Sequence, residues 1–148
     1  MHHFIDTSAL VKLFIAEQGT NEMLRFANAE DDRNKVISAL AQIEARSAIC
    51  RLRQGNFIDP AETALALNSL ADEIRRVIEQ PLNPPVIEAA STVIDRYYLR
   101  ALDAAQLGSA IVARDLLGAS DMRFIASDKA LLEAAHEEGF DVWDPVNP

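Results

Sequence analysis

Four carboxylates stand out in this sequence because of where they fall. Asp6 closes the short apolar run Phe4-Ile5, and Asp128 closes Phe124-Ile125-Ala126-Ser127 in the same way. Asp103 lies four residues before Leu107 and seven before Ala110 in LDAAQLGSAIVARDLL, which places it on the apolar stripe of a helix. Glu44, in ISALAQIEARSAICRL, has Leu40 and Ala48 one turn away on either side and Ala41 and Ala45 beside it. An inward carboxylate is costly unless it is paired or bound to a cation. Each acid also has an ordinary explanation. Asp6 and Asp128 can cap the helices that follow them. Asp103 sits in a first turn, where the helix dipole favours an anion, and Glu44 can pair with one of several arginines. If the four converge, a set of oxygen ligands without cysteine or histidine suits Mg²⁺ or Mn²⁺ and not Zn²⁺. Carboxylates clustered with such a cation carry out hydrolysis or transfer at phosphates.

The other acids lack this placement. Glu17, Glu30, Asp31 and Asp32 fall at helix ends or in loops, and Glu62, Asp72, Glu73, Glu133, Glu137 and Glu138 read as solvated faces or ends. Asp121 begins the strand that Asp128 follows, so the two stand about 20 Å apart. Other chemistries find no support: there is no glycine-rich phosphate loop and no serine–histidine–acid triad, and His136 reads as surface or packing.

Strands alternating with helices must position these residues. The pattern predicts strands over 2–6, 35–38, 123–126 and 140–143. Helices are expected over 9–17, 21–29, from the second strand to 54, and over 60–79, 85–98, 102–117 and 129–138. Ser8 is expected to cap the first helix, and Asp59-Pro60 opens the long fourth one. Short strands separated by helices need crossover connections. The fold is therefore α/β, a mainly parallel sheet with helices on both faces, and its sites form beyond the carboxyl ends of the strands.

At 148 residues the chain reads as a single domain over 1–148. Its net charge of −9, from 23 acids against 14 bases, disfavours a broad electrostatic grip on nucleic acid. Acids gathered round a divalent cation escape that objection, because the metal reverses the local charge. No apolar run approaches the ~20 residues of a membrane span, and Met-His-His is no signal peptide. The lone Cys50 is expected to pack in the core and excludes a disulfide framework. A cytoplasmic protein without membrane partners is the expectation.

The order of these motifs resembles the PIN-domain ribonucleases, and most closely the small VapC-type toxins of bacterial type II toxin–antitoxin pairs. The resemblance rests on Phe-Ile-Asp-Thr-Ser-Ala-Leu-Val-Lys-Leu-Phe at 4–14, a glutamate in the next strand–helix unit, Arg-Ala-Leu-Asp-Ala-Ala-Gln-Leu at 100–107 and Phe-Ile-Ala-Ser-Asp-Lys-Ala-Leu-Leu at 124–132. It spans nearly the whole chain. It implies a PIN-like three-layer sandwich whose central, mainly parallel twisted sheet has about four to five strands. It also implies an endoribonuclease in which Asp6, Glu44, Asp103 and Asp128 are the catalytic acids and hold Mg²⁺ or Mn²⁺. Thr7, Ser8 and Ser127 would orient these acids or a metal-bound water. Lys12, Arg46, Arg51 and Arg100, with Arg53 and Arg96, lie near the acidic motifs in sequence and are candidate contacts for RNA phosphates. The chain departs from many relatives at Ala126, where a hydroxyl often stands, and at Gln106, where a histidine often stands. The implied partners are an RNA substrate, a VapB-type antitoxin in a hetero-oligomer, and a second copy in a homodimer. Met23, Leu24, Phe26, Ile49 and Leu52 supply apolar surface for a partner or for the core.

The rivals fit less well. A haloacid-dehalogenase-like phosphatase needs an acid two residues after the first aspartate, where Ser8 stands, and a receiver domain needs its lysine elsewhere than directly after Asp128. A non-catalytic PIN-like binding module, with its acids as caps and salt bridges, remains the main alternative and predicts no metal dependence. A metal-dependent phosphatase is the weaker one.

Overall fold

The computed structural model describes all 148 residues. Five strands, β1 (His3–Ile5), β2 (Lys35–Ser38), β3 (Ile78–Gln80), β4 (Arg123–Ile125) and β5 (Asp141–Trp143), form one sheet in the order β3-β2-β1-β4-β5. Every pairing is parallel. The chain starts at the centre, builds outward through β2 and β3, then returns across the sheet to β4 and β5. The direction of winding thus reverses between β1 and β4, and the crevice beyond the carboxyl ends of those two strands is where such sheets hold ligands.

The strands are short and apolar throughout because both faces are covered. Successive residues point to opposite sides, so Phe4, Val36 and Phe124 enter one core while Ile5, Ile37 and Ile125 enter the other. The first core is closed by α5 (Pro84–Tyr97), α6 (Ala101–Leu117) and α7 (Lys129–Glu137) through Val93, Leu107 and Leu131. Phe4 and Phe124 stack at its centre with ring centroids 5.4 Å apart. The second is closed by α1 (Thr7–Leu10), α2 (Thr20–Ala29), α3 (Leu40–Gln54) and α4 (Pro60–Arg76) through Leu10, Met23, Ile49 and Leu70. Asp59 and Glu62 form a reciprocal capping box at the start of α4. No helix is long and apolar enough to cross a membrane.

Several expectations need correction. The helix expected to run to 79 stops at Arg76, and Ile78–Gln80 becomes edge strand β3, paired in register with Val36–Ser38. Here the open edge of β2 outweighs the local helical pattern, with Val77 and Ile78 well suited to a strand. The first helix is short: α1 passes into a 3-10 turn at Val11–Leu13 instead of running to Glu17. Its cap is Asp6, not Ser8. Glu73 is buried, with Arg76 at 2.6 Å, and is not part of a solvated face. Cys50 is exposed and packs in no core.

Candidate active site

Asp6 leaves β1 at the crevice. Its backbone N–H still donates to Ile125 O at 2.9 Å, continuing the pairing with β4 by one residue. Its side chain turns back to cap α1, and Oδ2 accepts from Ser8 N at 3.0 Å and from Ser8 Oγ at 2.5 Å. The same Ser8 Oγ accepts from Ser127 N at 2.9 Å, which ties the loop after β1 to the loop after β4. Asp6 is only 5 % exposed. Burial pushes its carboxyl up to about 6; the Ser8 hydrogen bonds oppose this, and the charges of Glu44 and Asp103 add to it.

Glu44, half-buried on α3, is held from two sides. Its Oε1 accepts from Thr7 Oγ1 at 3.0 Å and from Gln106 Nε2 at 2.8 Å. Gln106 Nε2 also donates to Thr7 Oγ1 at 2.9 Å, closing a triangle between α1, α3 and α6. Gln106 is buried, and its own Oε1 has no partner. Asp103, one turn before Gln106, lies in the first turn of α6. Burial raises its pKa, the charges of Asp128 and Glu44 raise it further, and Arg100 opposes them. Asp128 caps α7, accepting from Leu131 N at 2.9 Å through Oδ1.

One pattern runs through all four acids. Asp6 uses Oδ2, Glu44 uses Oε1 and Asp128 uses Oδ1 for bonds within the protein, while their other oxygens, and both oxygens of Asp103, accept none. Those free oxygens are not among the buried unpartnered atoms, so solvent reaches them. None of the four carboxylates forms an ion pair. The contrast is with the largest cavity, about 710 Å³, which lies at the amino end of β2. There Asp32 meets Lys35 and Arg76, Asp72 meets Arg75, and Glu73 meets Arg76. Three acids held on one oxygen and open on the other, and a fourth open on both, none in an ion pair, offer the kind of oxygen donors a hard divalent cation takes. No group of three or more His, Cys, Asp or Glu side chains is already gathered at metal-ligand spacing.

The structure brings Asp6, Glu44, Asp103 and Asp128 to one edge of the sheet, together with Thr7, Ser8 and Ser127. The basic residues divide. Arg46, Arg51 and Arg100 are exposed. Lys12, expected at phosphate, is 6 % exposed with its Nζ 2.9 Å from Glu17, so its charge is used inside the fold. Arg96 pairs with Glu138, and Arg53 is half-buried near Asn56. Of the apolar residues noted for a partner, Met23 and Ile49 are core, Phe26 and Leu52 half-buried, and only Leu24 is exposed. Two residues matter more than the sequence alone suggests. Gln106 makes the shorter of the two hydrogen bonds that hold Glu44, and a polar residue next to Leu107 on a buried stripe is its sequence signal. Asp144 follows β5 as Asp6 follows β1 and accepts from Ser127 Oγ at 3.0 Å. Partial burial pushes the Asp144 carboxyl up, but hydrogen bonds from Val146, Asn147 and Ser127 together hold it below its ordinary range.

The PIN domain family profile matches residues 3–135. Ribonuclease VapC47 of Mycobacterium tuberculosis is 33 % identical over 144 residues, covering 96 % of each chain. Among solved structures, a toxin–antitoxin complex from Klebsiella pneumoniae superposes with a TM-score of 0.67 at 16 % identity, covering 99 % of both chains. The sarcin–ricin-loop-cleaving toxin VapC20 of Mycobacterium tuberculosis superposes with a TM-score of 0.64 at 16 % identity, over 89 % of this chain and 94 % of that one. At these identities the structures share the fold. Crossover topology, acids at the switch crevice and the family match agree: this chain belongs to the PIN domain family.

Proposed function

We propose that this chain is a Mg²⁺- or Mn²⁺-dependent endoribonuclease, the toxin of a VapBC-type toxin–antitoxin pair that acts in the cytoplasm. The observation that carries this reading is the set of four acids at the switch crevice, each with an open oxygen, none with a counter-ion, and linked through one another's fields. Asp6, Glu44, Asp103 and Asp128 would hold the cation, which when bound supplies an activated water and stabilises the leaving oxygen of a phosphodiester. Thr7 and Gln106 fix Glu44 so that its free oxygen faces the crevice. Ser8 does the same for Asp6 and ties it to the Ser127 loop. Exposed Arg51, two turns along α3 from Glu44, and exposed Arg100, three residues before Asp103, are the bases that would meet phosphate, whereas Arg46 turns into the groove between α3 and α4. An antitoxin segment and a second copy are the partners the family suggests. Exposed Ile43, one residue before Glu44, opens onto an apolar groove between α3 and α4, lined also by Leu67, Leu70 and Ile74, that would seat the former.

Titrating Mn²⁺ while following thermal unfolding tests the cation. Occupancy at about a hundred times Kd adds ~2.7 kcal/mol, which in a chain of this size raises Tm by several degrees. The same preparations, given RNA oligonucleotides that include a sarcin–ricin loop, should cleave only with the cation present. A flat titration together with intact RNA would favour the non-catalytic module.

Gln106→Leu separates positioning from folding. It removes the donor that fixes Glu44 and also the unpartnered Oε1. Cleavage and cation affinity are expected to fall about 10- to 100-fold, with Tm in chelator unchanged or higher. A large fall in Tm in chelator would make Gln106 structural.

A further inference from the structure

Resting on the ribonuclease reading, we propose that Tyr98 is a stacking platform for a base of single-stranded RNA entering the carboxylate site. α5 hands over to α6 through Tyr98-Leu99-Arg100, and the two neighbouring tyrosines of this corner differ completely. Tyr97 is anchored, its OH donating to Glu138 Oε2 at 3.1 Å and its ring meeting the Arg96 guanidinium. Tyr98 is held by its backbone alone, through an N–H bond to Ile94 O at 2.8 Å. It is 89 % exposed, the most exposed large apolar side chain in the chain, ahead of Phe57 at 80 %.

Its backbone makes the choice of residue still less favourable for folding. Tyr98 closes α5 with φ 57° and ψ 35°, the left-handed conformation that glycine adopts most easily at this position. A tyrosine there bears steric strain and leaves its ring in water, and no contact in the fold offsets either cost. Strain that the fold does not offset, in the turn leading into the helix that carries Asp103, points to function.

The placement fits a substrate contact. Leu99 packs against the core, leaving Tyr98 and Arg100 at the surface on either side of it. Arg100 stands at the start of α6 with no side-chain capping bond, the first turn of that helix carries Asp103, and the Arg100 charge is felt by that carboxylate. Asp103 is five positions on from Tyr98, so their backbones stand no more than about 18 Å apart. Exposed Leu102 adds apolar surface on the same corner.

Charge decides which kind of contact RNA needs here. With a net charge of −9 and few free bases near the acids, counterion release cannot supply much affinity. Stacking on an aromatic ring is the remaining general source; it tolerates any base, because every base has a π-face.

Steady-state cleavage of a single-stranded RNA in Mn²⁺ by the full chain tests this, with Tyr98→Gly, Tyr98→Ala and Tyr98→Phe. Tyr98→Gly should keep or raise Tm, because it suits the left-handed corner, yet raise KM about tenfold or more with a smaller change in kcat. Tyr98→Phe should match the wild type. An abasic nucleotide at the stacked position should weaken the wild type to the level of Tyr98→Ala and leave that variant unaffected. Wild-type KM in Tyr98→Gly overturns the proposal while the ribonuclease reading stands. A change of oligomeric mass in Tyr98→Ala with KM unchanged overturns it in favour of a protein contact. Absence of cleavage and of RNA binding by the wild type overturns the ribonuclease reading, and this proposal with it.

Discussion

Replacing Asp6 with asparagine is expected to cut cation-dependent RNA cleavage by at least about 100-fold while leaving the chelator-treated protein as stable as the wild type, or more so. The two effects follow from one fact. Asparagine keeps the shape of the side chain, caps a helix as well as aspartate does, and can still accept from Ser8 N and Ser8 Oγ. The negative charge is lost. For the site, that charge is a cation ligand, and removing one well-placed electrostatic partner costs about 10²–10³ in rate. For the fold, the charge is a burden. Burial pushes the Asp6 carboxyl from 3.8 up to about 6, so keeping it ionised at neutral pH costs up to about 3 kcal/mol, at roughly 1.4 kcal/mol per unit. Asp6→Asn should therefore recover about 1–3 kcal/mol in chelator, on the same conversion. With saturating Mn²⁺ the order of Tm should invert, since only the wild type has the full charge to bind the cation. Thermal unfolding in chelator and in Mn²⁺, beside a cleavage assay, measures all of this. A purely capping Asp6 predicts equal Tm in both conditions and cleavage that follows stability.

The four acids can be picked out from sequence for reasons the fold explains. In a parallel sheet every strand ends at the same edge, so residues just past β1 and β4, here Asp6 and Asp128, must come near each other. Glu44 and Asp103 can be recognised because a carboxylate on an apolar helical face needs an explanation, and no basic residue provides one. What holds the acids in place is hidden. Gln106 reaches Thr7 across 99 residues of chain, and neither the pairing nor its donation to Glu44 leaves any local pattern. Lys12 misleads for the opposite reason. Its proximity to Asp6 in sequence suggests a phosphate contact, but the 3-10 turn carries its stem against Gly19 and its ammonium to Glu17. Asp144 carries the same strand-end signal as Asp6, masked because Pro145 reads as a plain terminator.

The α/β alternation is readable because the hydrophobic period changes cleanly from strand to helix, and because both cores draw on adjacent strand residues such as Phe4 and Ile5. β3 is not. Its three residues follow α4 with only Val77 between, and Ile78-Glu79-Gln80 continues a helical rhythm; the open edge of β2, with the β-branched Val77 and Ile78, makes it a strand. Cys50 shows how finely helical phase matters. Ile49 occupies the buried position on α3, and the next residue, about 100° round the helix, faces solvent.

The second large effect is expected at Gly108, on the helix that carries Asp103 and Gln106. A Cβ at Gly108 would lie 2.8 Å from Ala90 N, 3.0 Å from Val86 O and 3.2 Å from Ala90 Cα. All three are backbone atoms of α5, so no side chain can swing away, and the helices themselves must separate. Alanine brings up to about 1 kcal/mol of helix propensity over glycine. Overpacking against rigid backbone costs about 1–3 kcal/mol, and more for a larger residue. Gly108→Ala should therefore be net destabilising and Gly108→Val severely so, with Tm falling by roughly 2–4 °C per kcal/mol. Function should fall further than stability. Moving α6 displaces Asp103 directly and pulls Gln106 from Thr7 and Glu44, and a shift of about 1 Å at reacting groups can cost 10²-fold in rate. Gly108→Ala, assayed well below its Tm, should cleave RNA at least about tenfold more slowly than the wild type and show a weaker Mn²⁺-induced rise in Tm. Ala90→Gly in the same chain removes the opposing methyl but not the backbone atoms, so it should not rescue the variant. Rescue would place the clash between side chains instead of between the two helix backbones.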